Sequence, residues 1–169
     1  ISQAVFLGQI EITPPQRVPG TAVVLTGRDE PSVPASLVHH FACTGVLHER
    51  VILLNVVTAD EPRVPAANRL EFTELGSGLV QVRVHYGFSQ PPNIPIALKL
   101  GEHLGLPVDT ESAIYILSRE TLIPRPALRG LPYLQERIYL WMARNAARAT
   151  AYYHLPEERV LELGLQVTL

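Results

Sequence analysis

Four side chains that could bind a metal or act in catalysis lie close together in the sequence. They are His39, His40, Cys43 and His48. On a helix, His39 and Cys43 share one face, which suits two metal ligands. A closed site needs a third and a fourth ligand, and the spacing is not that of a zinc ribbon, so we expect no metal. Polar residues on the solvent side of an amphipathic helix are the simpler interpretation.

The same residues could also serve nucleophilic catalysis, which would make the chain a small hydrolase. A nucleophile needs an oriented base, yet catalytic partners usually lie far apart in sequence, so the closeness of Cys43 and His48 says little. The motif G-x-S-x-G is absent. Neither G-x-x-x-x-G-K-[ST] nor G-x-G-x-x-G occurs, which argues against Walker and Rossmann phosphate loops. We therefore predict neither an enzyme nor a resident cofactor.

A second polar group, Arg119, Glu120 and Thr121, follows the apolar run "YILS" and precedes a proline stop. If this run is a buried strand, the group lies at its carboxyl end, where parallel α/β sheets bind ligands. Neighbours on a strand point to opposite faces, so Arg119 and Glu120 would each need a partner of their own. A buried, paired arginine that fixes the architecture is at least as good an interpretation as a ligand contact.

Strand and helix patterns alternate along the elements that would position these residues. Strands are predicted at "TAVVLTG", "ERVILLNVVTA", "SAIYILS" and the closing "RVLELGLQVTL", with a β-hairpin at "RLEFTELGSGLVQVRVHYGF". Helices are predicted at "ASLVHHFACTG", "IPIALKLGEHLGL" and "LPYLQERIYLWMARNAARATAYY". In the second helix, Ile96, Leu100 and Leu104 form the predicted buried face. The order predicts an α/β fold, with a mixed β-sheet of about five to six strands flanked by about three to four helices.

Length and composition indicate one soluble domain with a substantial core. The chain has 169 residues, of which 47% are hydrophobic and 18% charged, and this balance excludes intrinsic disorder. A net charge of -2 gives no basis for binding nucleic acid. The lone Cys43 fits a reducing compartment. Without an initiator methionine or a signal peptide, the chain is expected to be a fragment of a longer protein.

Several motifs, in this order, resemble the C-terminal cytoplasmic domain of Kup-type potassium uptake permeases, the KUP/HAK/KT family. They are "RVPGTAVVLT", "VLHERVILLNV", "PRVP", "YGF" followed by "NIPIAL", "YILSRETLIP", "MARNAARAT" and "LPEERVLELGLQV". The resemblance extends from about Pro15 to Leu169. It implies that residues 1–20 are a juxtamembrane or linker segment and that 21–169 form a single cytoplasmic domain. The conformation of residues 1–14, helix or strand, is left open.

The resemblance implies a regulatory and assembly domain at the cytoplasmic face of the membrane, in a transporter that carries potassium in symport with protons. The ion-binding residues would lie in the membrane part of the same chain, the expected partner. Motif matches make His48, Glu49, Arg119, Glu120, Thr121, Arg144 and Asn145 the candidate coupling or ligand-crevice residues. We expect Arg119, Glu120 and Thr121 to hold the strand end against the long helix through Arg144 and Asn145. The family commonly has histidine where this chain has Cys43, which further weakens a metal site.

Two further partners follow as expectations. Related potassium importers have cytosolic domains that bind cyclic di-AMP, so a nucleotide of this kind is the ligand to test. The closing strand can pair with a copy of itself across a twofold axis, which makes a homodimer plausible. Two rival functions stay open. One is a free-standing nucleotide-binding protein of the universal-stress type, and the other is the small hydrolase.

Overall fold

A computed structural model of the chain describes residues 2–26, 32–123 and 149–168. Within these residues the strands are β1 (Gln16–Thr26), β2 (Val46–Ala59), β3 (Leu70–Gly76), β4 (Leu79–Gly87), β5 (Ile114–Ile123) and β6 (Val160–Thr168). The α-helices are α1 (Gln3–Ile12), α2 (Ala35–Thr44), α3 (Ile94–His103) and α4 (Ala149–Tyr152). Short 3-10 helices occupy Ala66–Asn68 and Glu157–Arg159. The predicted α/β class with a mixed sheet is confirmed.

The six strands form one sheet in the order β3-β4-β2-β1-β5-β6. Only β3 runs antiparallel to its neighbour, and all other pairings are parallel. On one side of the central β1 lie β2, β4 and the edge strand β3. The chain then crosses to the other side of β1, where β5 and β6 lie. The strand order therefore reverses between β1 and β5, and in open α/β sheets ligands bind beyond the carboxyl ends of the strands at such a point.

Strands β1 and β5 stay paired over a short distance only. Their last register pair is Val24 with Ile116, whereas β5 continues beside β6 as far as the pair Ile123 with Thr168. The β5–β6 pair thus extends well past its contact with β1. This divergence lies at the carboxyl edge of the sheet, at the reversal point itself.

Both faces of the sheet are packed, as expected for parallel strands rich in Val, Ile and Leu. One face lies under α1 and α2, and its core contains Phe6, Ile10, Ala22, Val24, Val33, Leu37, Leu47, Val51, Leu53, Leu79 and Ile116. The other face lies under α3 and the segment after α4, and its core includes Val23, Ile52, Leu54, Val82, Ile94, Leu98, Tyr115 and Leu155. Alternate residues of β2 from Val51 to Leu54 therefore enter opposite cores, which explains why this stretch is apolar without interruption.

The N-terminal segment takes part in this packing. Residues Gln3–Ile12 form helix α1, with Phe6 fully buried and its ring 5.9 Å from that of Phe41 in an edge-to-face arrangement. The boundary that the resemblance places between residues 20 and 21 falls within β1. A juxtamembrane role for residues 1–20 stays a prediction.

Two turns have the positive φ values that glycine favours. Helix α2 ends at Gly45, which adopts a left-handed conformation with φ 66°. The hairpin between β3 and β4 turns at Ser77 and Gly78, with φ values of 49° and 76°. Two successive positive φ values are typical of the type I′ turns that match the twist of a two-residue hairpin.

The predicted buried face of α3 is wrong. Ile96 and Leu104 are exposed, at 63% and 53% of their surface. The buried residues are instead Ile94, Ala97, Leu98 and Gly101. A Cβ on Gly101 would lie 2.9 Å from a methyl of Leu106 and 3.0 Å from one of Leu70, so the missing side chain lets the helix approach the sheet. Close approach of the backbone, rather than side-chain size, selects the face that packs.

The long helix predicted at "LPYLQERIYLWMARNAARATAYY" lies mostly outside the described residues, apart from the helical stretch Ala149–Tyr152. The predicted closing segment is confirmed. A single 3-10 turn at Glu157–Arg159 leads directly into β6.

Candidate functional site

The predicted group Arg119, Glu120 and Thr121 lies within β5. Their backbones pair with Gly164, Leu165 and Gln166 of β6. The strand continues to Ile123, so the group occupies its carboxyl half rather than its last residues. Because β1 no longer accompanies β5 at this level, the group lies along the divergence at the reversal point. Arg144 and Asn145 fall outside the described residues, and their contact with this group stays a prediction.

His48 and Glu49 lie at the other end of the sheet, near the start of β2. His48 is level with Val18 of β1, whereas Arg119 lies beyond the last residue of β1 that pairs with β5. The separation is about nine residues along the strands, or roughly 30 Å at the rise of an extended chain. The structure therefore does not bring His48 and Glu49 together with the Arg119 group.

An arginine that sequence reasoning missed explains the arrangement around His48. Arg17 of β1 donates from Nη1 to the carbonyl of His48 at 2.8 Å and from Nη2 to the carbonyl of Ser77 at 2.6 Å. It thereby ties the hairpin turn to the start of β2. Gly78 fits against this corner because a Cβ there would collide with the Glu49 carbonyl. The backbone at His48 and Glu49 thus has an architectural role.

The histidine and cysteine group is dispersed on and around α2. His39 Nε2 lies 3.6 Å from Cys43 Sγ on the exposed side of the helix, at the predicted spacing. Burial, together with the positive charge of nearby His40, lowers the pKa of His48. Among the residues that the structure describes, no three His, Cys, Asp or Glu side chains are grouped so as to hold a metal ion. A pair alone does not make a closed metal site.

A polar row crosses the face of the sheet beneath α1. Thr26, Asn55, Arg83 and Glu71 are in register across β1, β2, β4 and β3. Asn55 is buried, with 7% of its surface exposed. One turn of the pleat further along β4, His85 Nε2 lies 3.7 Å from Glu71 Oε1. The row ends at Thr26, the last residue of β1, so it reaches the reversal point of the sheet.

A second cluster missed by sequence reasoning fixes the carboxyl end of β4 to the start of α3. The Tyr86 hydroxyl donates to the carbonyl of Asn93 at 2.7 Å and accepts from the Asn93 backbone N–H at 3.0 Å. Asn93 also caps α3 by accepting from the N–H of Ile96. The guanidinium of Arg69 lies 5.2 Å from the centre of the Tyr86 ring, and it donates to the carbonyl of Val64 at 2.8 Å.

Hydrogen bonds also fix the loop that follows β4. Gln90 Oε1 accepts from the backbone N–H groups of Val64 and Gly87, both at 2.9 Å. A Cβ on Gly87 would strike the backbone of the Pro62 peptide, so only glycine permits this approach. These contacts explain why the motifs "PRVP" and "YGF" occur together: their backbones pack against each other. The tyrosine of "YGF" and the glycine beside it are the sequence signal that could have indicated this packing.

The C-terminal segment closes this edge of the sheet. The backbone N–H of Ile94 donates to the carbonyl of Tyr153 at 3.2 Å, and His154 Nδ1 lies 3.0 Å from the carbonyl oxygen of Pro92. Three separate chain segments, 60–69, 86–94 and 149–156, thus meet at the carboxyl edge. Hydrogen bonds therefore join these three segments into one surface.

Comparison with known proteins gives a consistent result. A family model described as the K+ potassium transporter C-terminal domain matches residues 19–169. The "Probable potassium transport system protein Kup 1" of Geobacter sulfurreducens is 48% identical over 97% of this chain and 26% of its own length. The corresponding Kup protein of Nitrosomonas eutropha is also 48% identical, over 97% of this chain and 25% of its own length.

Three further findings complete the comparison and the description of the chain. The chain spans about a quarter of the length of the curated relatives it matches. No solved structure matches it. In the part of the chain that the structure describes, none of the helices has the length and apolar character needed to cross a membrane.

Proposed function

This chain belongs to the K+ potassium transporter C-terminal domain family, and we propose that it is the cytoplasmic regulatory and assembly domain of a proton-coupled, Kup-type potassium uptake transporter. The observation that carries the proposal is the match over residues 19–169, together with relatives about four times longer than the chain. The membrane part of the same transporter chain is the partner. Potassium and proton sites belong to that part, and this domain performs no chemistry of its own.

The domain would act by favouring one conformation of the transporter through contacts that differ between its states. Its architecture supports this role because both faces of the sheet are packed and the carboxyl edge is cross-linked by hydrogen bonds. A rigid body transmits a displacement at one surface to another. We assign Arg119, Glu120 and Thr121, with Arg144 and Asn145, to fixing β5 against the long helix.

We propose a nucleotide such as cyclic di-AMP as the ligand to test at the carboxyl edge of the sheet. The divergence of β1 and β5 lies where α/β sheets bind ligands, and the polar row that ends at Thr26, in which Asn55 is buried, brings polar groups to the same edge. A free-standing nucleotide-binding protein would use the same edge, but its relatives would not be potassium transport proteins. The hydrolase alternative has little support, because Cys43 and His39 form an exposed pair and, among the residues that the structure describes, no third His, Cys, Asp or Glu is grouped with them to orient a base.

The first experiment is to fractionate native cells and blot them with an antibody against this domain. A membrane-bound band much larger than 18.7 kDa is expected, and a soluble band near that mass would refute the proposal. Potassium uptake by the full-length transporter is then compared with that of a variant truncated before the domain. If truncation leaves uptake and its regulation unchanged, the regulatory role is wrong.

Two variants of the intact transporter refine the assignment. Arg119→Ala is expected to lower thermal stability or potassium uptake, and no change in either would remove Arg119 from the coupling group. Titration of the intact transporter with cyclic di-AMP and with ATP tests the ligand. Absence of heat and of any shift in melting temperature would eliminate the nucleotide but leave the structural role.

The homodimer is tested separately. The edge strand β6 pairs with β5 on one side, and a copy could add to its other side in a continuous sheet. The mass of the detergent-solubilised transporter, measured by light scattering, distinguishes one copy from two. A single copy at all concentrations would refute the dimer.

A further inference from the structure

Three exposed apolar side chains lie on segments that are connected to the first turn of α3 along the chain or by a backbone hydrogen bond. Phe88 and Ile96 each expose 63% of their surface, and Tyr152 exposes 54%. Phe88 directly follows β4, Ile96 lies in the first turn of α3, and Tyr152 precedes the residue whose carbonyl accepts from the N–H of Ile94. We call these three residues the α3 patch. Exposed apolar groups gathered in one place mark surfaces that bind something.

The two segments that carry the patch lack charge, whereas the adjoining segment 60–69 contributes Asp60, Glu61, Arg63 and Arg69. Residues 88–98, "FSQPPNIPIAL", and residues 149–156, "ATAYYHLP", contain no Asp, Glu, Lys or Arg. The whole sequence is 18% charged. The centres of protein interfaces are depleted in charge and enriched in aromatic residues, and the two segments that carry the patch have this composition, with the charged segment 60–69 beside them.

The patch is also held in a fixed shape. The reciprocal hydrogen bonds of Tyr86 and Asn93, the Asn93 cap, and the contact of His154 with Pro92 all fix the backbone that carries it. A surface ordered before it meets its partner loses less conformational entropy on binding. The hydrogen bonds therefore order the backbone of a segment whose apolar side chains are exposed.

The occupant follows from where the rest of the transporter joins the domain. Helix α1 runs antiparallel to β1, so its first residues lie toward the carboxyl edge, where Ser2 bridges to Ser32, a residue that follows β1. A C-terminal domain is preceded by the remainder of its chain, which in relatives is about three quarters of the length. That remainder arrives at the same edge of the sheet as the α3 patch.

We propose that the α3 patch docks onto the membrane part of the same transporter chain. This inference rests on the proposed function and names the surface through which the domain would act. A lipid surface is the poorer partner, because anionic membranes attract clustered Lys and Arg and the segment 88–98 has none.

The test measures protection of Ile96 in the full-length transporter, in membrane vesicles. Ile96→Cys and the control Leu104→Cys are each placed in a Cys43→Ser background. The two residues lie at opposite ends of α3 and are similarly exposed, at 63% and 53%. Maleimide labelling of each site is quantified by peptide mass spectrometry and divided by the rate in denaturant. We expect Ile96→Cys to react about tenfold more slowly than Leu104→Cys, a factor equal to about 1.4 kcal/mol of protection.

A photo-crosslinking residue at Phe88 identifies what covers the patch. A crosslink to a peptide of the membrane part of the same chain supports the proposal. A crosslink to residues of this domain in a second copy, a crosslink to lipid alone, or equal labelling at positions 96 and 104 overturns it. Potassium uptake is measured on the same vesicles. Uptake without protection refutes the docking surface alone, whereas loss of uptake in the unmodified transporter refutes the proposed function.

Discussion

The reciprocal hydrogen bonds between Tyr86 and Asn93 predict a measurable loss of stability in Tyr86→Phe. The substitution removes one hydroxyl and keeps the ring, so the contact with Arg69 and the packing of a side chain only 5% exposed are retained. It leaves the N–H and carbonyl of Asn93 without their partner. Two hydrogen bonds at about 0.5–1.5 kcal/mol each give a loss of about 2 kcal/mol, or roughly 4–8 °C in melting temperature for a domain of this size.

Urea denaturation of the purified 169-residue chain, followed by circular dichroism, measures this loss. The matched control is Tyr152→Phe, which removes a hydroxyl from a ring that is 54% exposed and should change stability by less than about 0.5 kcal/mol. If Tyr86→Phe is as stable as Tyr152→Phe, the hydrogen bonds do not secure the start of α3. The rigidity invoked for the α3 patch would then lose its basis.

Two further predictions concern the packing at Gly87 and the titration of His48. Gly87→Ala should destabilise the chain by about 1–3 kcal/mol, because its Cβ would collide with the Pro62 backbone. Gly164→Ala, where a Cβ meets no atom within 4 Å, should not, and equal urea midpoints for the two variants would contradict the argument. Burial and the charge of His40 lower the pKa of His48 below 6.5, so the unfolded chain binds this proton more readily than the folded one. The free energy of unfolding should therefore fall as pH drops from 6.5 through the folded pKa of His48. His48→Gln should reduce this loss of stability. The control His103→Gln, at an exposed position, should show the same loss as the unmodified chain. If the free energy of unfolding falls with pH as steeply in His48→Gln as in the unmodified chain, other groups cause the fall.

Elements whose local signals agree with their packing could be predicted from sequence. Strand β2 is apolar on both faces because both faces are buried, and its neighbours β1 and β4 are parallel to it as expected of an internal strand. Helix α2 ends at Gly45 and the hairpin turns at Ser77 and Gly78 because these positions need positive φ. In each case the requirement, burial on both faces or a positive φ, falls on residues that are adjacent in the chain. It is therefore visible in a short stretch of sequence.

The face of α3 and the cluster around Tyr86 could not be predicted in this way. Large side chains at Ile96, Leu100 and Leu104 dominate the helical pattern, whereas the packing is decided by the absence of a side chain at Gly101. The hydrophobic pattern of a helix does not show how closely its backbone approaches the neighbouring element. The two bonds of Arg17 likewise join residues 31 and 60 positions apart, a distance over which no local rule applies.

The candidate site was predicted in part. The position of Arg119, Glu120 and Thr121 on a strand near the reversal point follows from the alternation of strands and helices. The polar row from Thr26 to Glu71 was not anticipated, because its members lie on four strands and each is an isolated polar residue in its own segment. Only the register of the sheet places them side by side.

The position of β1 at the centre of the sheet has a consequence for synthesis of the protein. Its second neighbour, β5, begins about ninety residues later in the chain. At roughly 5–20 residues per second, a ribosome needs on the order of 5–20 s to deliver that partner after β1 has emerged. Throughout this interval one edge of the most apolar part of the sheet has no strand beside it, and an unpaired apolar edge is a template for aggregation. Chaperone binding to nascent chains should therefore peak after β1 and β2 have emerged and decline once β5 has left the ribosome.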